Sequence, residues 1–156
     1  MKRLSICLLL LMFVTALVTS CGESVSAYDM IREFSAAYGE IGTVYSPSVP
    51  EGERGFVREG LFESLYGDYL GSVSDYAVIL HSDGVRISEC AVMVAVSEYD
   101  ALLLSDALFE RIELIRTVAE DDSSLDGAFV RRRGRLVVMC AVDDNGRAAR
   151  IFDKLM

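Results

Sequence analysis

Apolar and polar residues recur along this chain with several distinct periods. From Leu4 to Val18 fifteen residues pass without a charge, Leu8 to Leu11 among them, behind Lys2 and Arg3. That is short of the roughly 20 residues a spanning helix needs and fits the apolar segment of an export signal. Further on, Tyr28, Ile31, Phe34 and Tyr38 recur at steps of three and four, which predicts a helix ended by Gly39. Residues 39–55 hold four glycines and both prolines and read as a loop. Val57, Leu61 and Leu65 then mark a short amphipathic helix from Phe56 to Tyr66, closed by Gly67.

Ser74 to His81 and Ile87 to Val96 read as strands around a Ser82-Asp83-Gly84 turn. In the second, Val92, Val94 and Val96 alternate with Ala91, Met93 and Ala95. Being apolar on both faces, this strand is expected at the centre of its sheet. Ala101, Leu104, Leu108, Ile112 and Ile115 form the stripe of a long helix running to about Glu120, with Glu110, Arg111, Glu113 and Arg116 expected in water. Ser97 is expected to cap its start, and Asp100 three residues on partly fits the capping-box pattern, in which Glu or Gln is the better partner. Ala128 to Arg132 and Arg135 to Val142 predict a hairpin around Arg133-Gly134, and Arg147 to Leu155 a final helix. The order predicts an α+β fold: an antiparallel sheet of about four strands with helices packed on one face, around a strand-strand-helix-strand-strand-helix core.

The apolar leader ends in Val18-Thr19-Ser20-Cys21-Gly22, which resembles the lipobox of bacterial lipoproteins. A branched apolar residue and two small ones give a membrane-embedded peptidase access to the bond before Cys21. The Cys21 thiolate is the soft nucleophile that accepts a diacylglyceryl group. Two acyl chains anchor a protein stably where one does not. The resemblance implies a lipid-anchored protein on the extracytoplasmic face of the cell membrane. Its divisions are a signal peptide (1–20), a tether (21–27), an N-terminal helix and Gly/Pro loop (28–58) and the α+β domain (59–156).

Charge narrows the function classes. The formal net charge is −9, and −11 once Lys2 and Arg3 leave with the leader. That is the wrong sign for a nucleic-acid footprint or for a polybasic hold on anionic lipid, so the membrane partner is met through the acyl group. After Cys7 leaves and Cys21 is consumed, Cys90 and Cys140 remain. They sit in apolar strand runs and read as buried thiols rather than a bridge, although an exported compartment permits either.

Candidate chemistry is sparse. His81 is the single histidine and reads as a surface residue at a strand end. Asp122, Ser124, Asp126 and Gly127 imitate the first half of a calcium loop, but Arg133 stands where a bidentate Glu belongs, so an Asx-rich connector is expected and no metal. No catalytic set and no cofactor are implied. Glu89, among apolar neighbours, is the carboxylate of most interest and is expected at an edge. Arg131, Arg132, Arg133 and Arg135 form a compact basic cluster in an acidic chain. They are candidates for binding an anionic partner such as a wall polymer or another envelope component, against the simpler role of charges that keep a hairpin edge from pairing.

Leu65-Tyr66-Gly67, Asp75-Tyr76-Ala77-Val78, Glu89-Cys90-Ala91-Val92, the helix holding Glu110-Arg111 and the Arg133-Gly134 hairpin recur in one order over about residues 60–156. In this the chain resembles a family of small lipoproteins of Gram-positive bacteria whose C-terminal domain has no known function. It departs from that pattern at Arg135, where a Tyr is common, and at Cys90, where an Ile is. The family offers no catalytic residues to transfer.

Two classes of function remain. One is a non-enzymatic binding or scaffolding module at the envelope; the other is a solute-binding module or an enzyme using surface carboxylates. A concave pocket holding Glu89, Asp143 or His81 with convergent side chains favours the second, a filled sheet–helix interface the first. Metabolic labelling with a clickable fatty acid should mark the wild type and leave Cys21→Ser unmarked. A wild type without label overturns the lipoprotein expectation.

Overall fold

The computed structural model describes residues 26–57, 60–82, 87–118 and 125–156. Helix α1 (Ala27–Tyr38) is followed by β1 (Thr43–Tyr45), α2 (Leu61–Tyr66), a 3-10 turn (Leu70–Ser72), β2 (Val73–Ser82) and β3 (Ile87–Ala95). Then come α3 (Glu98–Val118), β4 (Phe129–Arg133), β5 (Leu136–Ala141) and α4 (Asn145–Leu155). The five strands form one antiparallel sheet in the order β1-β2-β3-β5-β4. The α+β class and the antiparallel sheet are as the pattern predicts.

The helices, expected on one face, cover both. Strand side chains alternate between faces, and β3 and β5 are apolar on each. Ala77, Ile79, Cys90, Val92, Val138 and Cys140 pack under α1 and α4, which contribute Ile31, Phe34, Ala148 and Phe152. Tyr76, Val78, Ala91, Met93, Val137 and Met139 pack under α2 and α3, which contribute Phe62, Leu104, Leu108 and Ile112. A helix layer on one side alone would leave half of these side chains in water. Phe34 and Phe152 stack at 4.5 Å between centroids, closing the first layer.

The described part of the expected N-terminal segment, residues 28–57, packs into the domain rather than preceding it. Helix α1 supplies core residues, and its first described amide, on Ala27, donates to Asp75 Oδ2 at 2.8 Å. The expected loop at 39–55 also contains the edge strand β1, whose Thr43, Val44 and Tyr45 pair with Leu80, Ile79 and Val78. Two glycines allow this approach. A Cβ on Gly42 would stand 2.5 Å from the Leu80 carbonyl oxygen, and one on Gly55, at φ +97°, 2.0 Å from that of Val44.

The start of α3 carries the expected cap. Ser97 Oγ accepts the Asp100 N–H at 3.1 Å and donates to Asp100 Oδ2 at 2.5 Å. The Ser97 hydroxyl, and after it that of Ser72, hold the Asp100 carboxyl below its ordinary value of 3.8. A depressed folded value stabilises the protein above the unfolded value and is lost as pH falls through the folded one. Ser97→Ala should therefore lower the urea midpoint at neutral pH, and its deficit should shrink below about pH 3.8. Urea titrations at neutral and acid pH check this; a pH-independent deficit refutes it.

Candidate binding cleft at the strand ends

Register places the site. Thr43 lies opposite Leu80, Leu80 opposite Glu89, and Glu89 opposite Ala141, so one row crosses four strands near the end of the sheet. Directly opposed residues share a face, and this row faces α2 and α3. Above it lies a cleft of about 840 Å3, walled by Arg54, by Leu65 of α2 and by Arg111 of α3. His81 and Asp143 stand on its rim.

Glu89 is fully buried at the inner end of this cleft. Both of its oxygens are engaged. Arg111 Nε donates to Oε1 and Oε2 at 3.2 and 3.1 Å, Arg111 Nη2 donates to Oε2 at 2.7 Å, and Tyr66 Oη donates to Oε1 at 2.9 Å. Burial works against the Arg111 charge, but the hydrogen bonds and charge of Glu89 outweigh it and leave the guanidinium more firmly protonated than usual. Burial, then the charge of Glu89, also raises Tyr66 well above its ordinary value, so the phenol stays a donor. A carboxylate so satisfied holds the Arg111 guanidinium and the Tyr66 hydroxyl in place. Arg111, its side chain 17% exposed, is the part of the pair that solvent in the cleft reaches. Across from it, Arg54 Nη2 donates to Thr43 Oγ1 at 2.8 Å.

Glu89, expected at an edge, is thus inward and paired, and Arg111, expected in water, is its partner. A signal for both existed. Arg111 lies three residues after Leu108 and four before Ile115, on the buried stripe, while Glu89 shares its strand face with Ala91 and Met93. Two opposite charges on two stripes bound for one interface must meet. Tyr66, Thr43 and Arg54 carried no comparable signal.

His81 is exposed, as expected. It pairs in register with Ser88, one residue from the Glu89 row, so strand alternation turns it to the other face and the two side chains do not converge. The basic cluster is likewise divided. Arg131 lies over the Phe129 ring, pairs with Asp153 and donates to the Ala149 carbonyl, and Arg133 donates to the Met156 carbonyl. Arg132, turned to the opposite face, donates to the Gly134 carbonyl, and Arg135 to that of Val96. Asp122 to Ser124, the calcium-like segment, lie outside the described residues. Among the described residues no group of three or more His, Cys, Asp or Glu is placed to hold a metal ion. Cys90 and Cys140 are buried thiols.

No family model, curated protein or solved structure matches the chain. Its function therefore rests on its own residues.

Removing one member of a buried pair strands the other charge. Arg111→Met should cost about 3–5 kcal/mol, while Glu89→Met with Arg111→Leu should cost clearly less. Denaturant unfolding of both variants is the check. A double variant as unstable as Arg111→Met removes the pairing as the cause.

Proposed function

We propose that this protein is a membrane-anchored extracytoplasmic lipoprotein, tethered through Cys21, whose α+β domain is a non-enzymatic binding module. Its strand-end cleft receives a small polar solute. The sequence at Val18 to Gly22 supports the tether, and no helix among the described residues is long and apolar enough to cross a membrane. The observation that carries the binding role is Arg111, fixed in two directions by a fully buried carboxylate while opening onto a cleft. A donor already held in place loses little freedom when a ligand arrives, which is the advantage of a preorganised site. Arg54 adds a second guanidinium to the cleft lining.

The orientation suits an anchored receptor. The Ala27 amide is bonded to Asp75 near the start of β2, whereas the cleft lies at Leu80 and His81 near its end. His81 lies six steps along the strand from Asp75, about 20 Å at roughly 3.3 Å per step. The Ala27 end of α1 thus lies toward one end of the sheet and the cleft toward the other.

A second reading keeps Arg131, Arg132, Arg133 and Arg135 as contacts for an anionic wall polymer, favoured by their sequence clustering and disfavoured by their division between two faces. Amide NMR titrations of the purified protein with inorganic phosphate, glycine and short poly(glycerol phosphate) separate the two. Shifts at Thr43, Leu80 and Ser88 that vanish in Arg54→Ala support the cleft. Shifts confined to Arg131 to Arg135 transfer the role to the hairpin, and a cleft unmoved by all three probes overturns solute binding there.

A further inference from the structure

Cys90 and Cys140 face each other across the two central strands. They are register partners between β3 and β5, both fully buried, and both belong to the layer under α1 and α4. Directly opposed residues in an antiparallel pair have Cα atoms about 4.5 or 5.5 Å apart, inside the roughly 4.4–6.8 Å range that disulfides span. Their side chains leave the sheet on the same face. The thiols are in hydrogen-bonding contact, and burial, then this contact, raises the Cys90 thiol well above its ordinary value.

We propose that Cys90 and Cys140 form a cross-strand disulfide in the exported protein, tying β3 to β5 beside the Glu89 row. The proposal rests on export as inferred above. Once Cys7 has left with the leader and Cys21 carries lipid, these two are the cysteines remaining in the mature chain, so one intramolecular pairing is open to them. In the folded state both sulfurs are fully buried, and burial keeps the Cys90 thiol protonated, which makes the pair unreactive. The bond therefore closes while the sheet is assembling, when both sulfurs are still accessible. The oxidant is an external disulfide, a small molecule or a thiol oxidoreductase. One cysteine thiolate attacks it, forming a mixed disulfide and releasing one external thiol. The second cysteine, having given up its proton, attacks the protein sulfur of that mixed disulfide and releases the other external thiol. Two protein thiols are oxidised and one external disulfide is reduced to two thiols. The tie spans about fifty residues of chain, a long loop to constrain in the unfolded state. It also fixes Glu89 against Ala141, the adjacent register pair, at the inner end of the cleft.

The test is the full chain isolated from membranes, alkylated without reduction and digested for mass spectrometry, with lipid labelling read on the same sample. A Cys90–Cys140 peptide lighter by two hydrogens is the expected result. Dithiothreitol should then lower the melting midpoint of the wild type by about 10 °C and leave Cys90→Ala/Cys140→Ala unchanged. Lipid-labelled protein with both cysteines alkylated overturns the disulfide. A sample without lipid means that the export premise has failed instead. Refolding in oxidised glutathione then decides the geometry, a linked peptide supporting it and free thiols refuting it.

Discussion

A carboxylate at the inner end of an apolar interface persists only where its charge and lone pairs are answered on the spot. Moving an ion out of water costs several kcal/mol, and an ion pair recovers this only with close geometry and further hydrogen bonds. Glu89 meets that demand through Arg111 and Tyr66, one from α3 and one from α2. The consequence is positional. Apolar side chains tolerate a small slide of one layer over another, but an ion pair with bonds of 2.7–3.2 Å does not. Both helices are thereby held in register against β3, and the cleft beside them takes a defined shape.

The second constraint is the two-sided hydrophobicity of β3 and β5. Fully buried strands need cover above and below, and four helices provide it in pairs. This explains why α1 is integral to the domain. Without Ile31 and Phe34 the face carrying Cys90, Val92 and Val138 would be open. The first and last helices are also joined: Tyr38 Oη accepts the Asp144 N–H at 2.9 Å, and Arg147 lies over the Tyr38 ring while donating to the Ala37 carbonyl. Helix α4 thus locks the end of α1 onto the sheet.

The same arrangement orders the functional reading. Paired β3 and β5 support the Glu89 row, the row supports Arg111, and Arg111 presents a held cation to a cleft at the far end of the sheet from Ala27. The basic hairpin, prominent as a run of letters, becomes four guanidiniums occupied with nearby carbonyls, a ring and Asp153. Proximity along the chain made them look like one patch, and strand alternation separated them.

Most elements were legible in the chain because each rests on local periodicity. Helix α3 with its capping serine, the β2–β3 and β4–β5 pairs and the final helix follow from steps of two or of three and four. The expectation of a leader ending at Cys21 is of another kind: a peptidase and an acyl transferase would act on the extended sequence itself, so it rests on residue types at fixed spacing and not on the fold. Strand β1 was not legible, since three residues are too few to show a period and its identity lies in pairing with Leu80, Ile79 and Val78. The partners of Glu89 and the meeting of Cys90 with Cys140 were decided by the tertiary structure alone. Each depends on which strands become neighbours and which face each side chain takes, and contacts between residues 22 to 50 positions apart leave no mark on either segment separately.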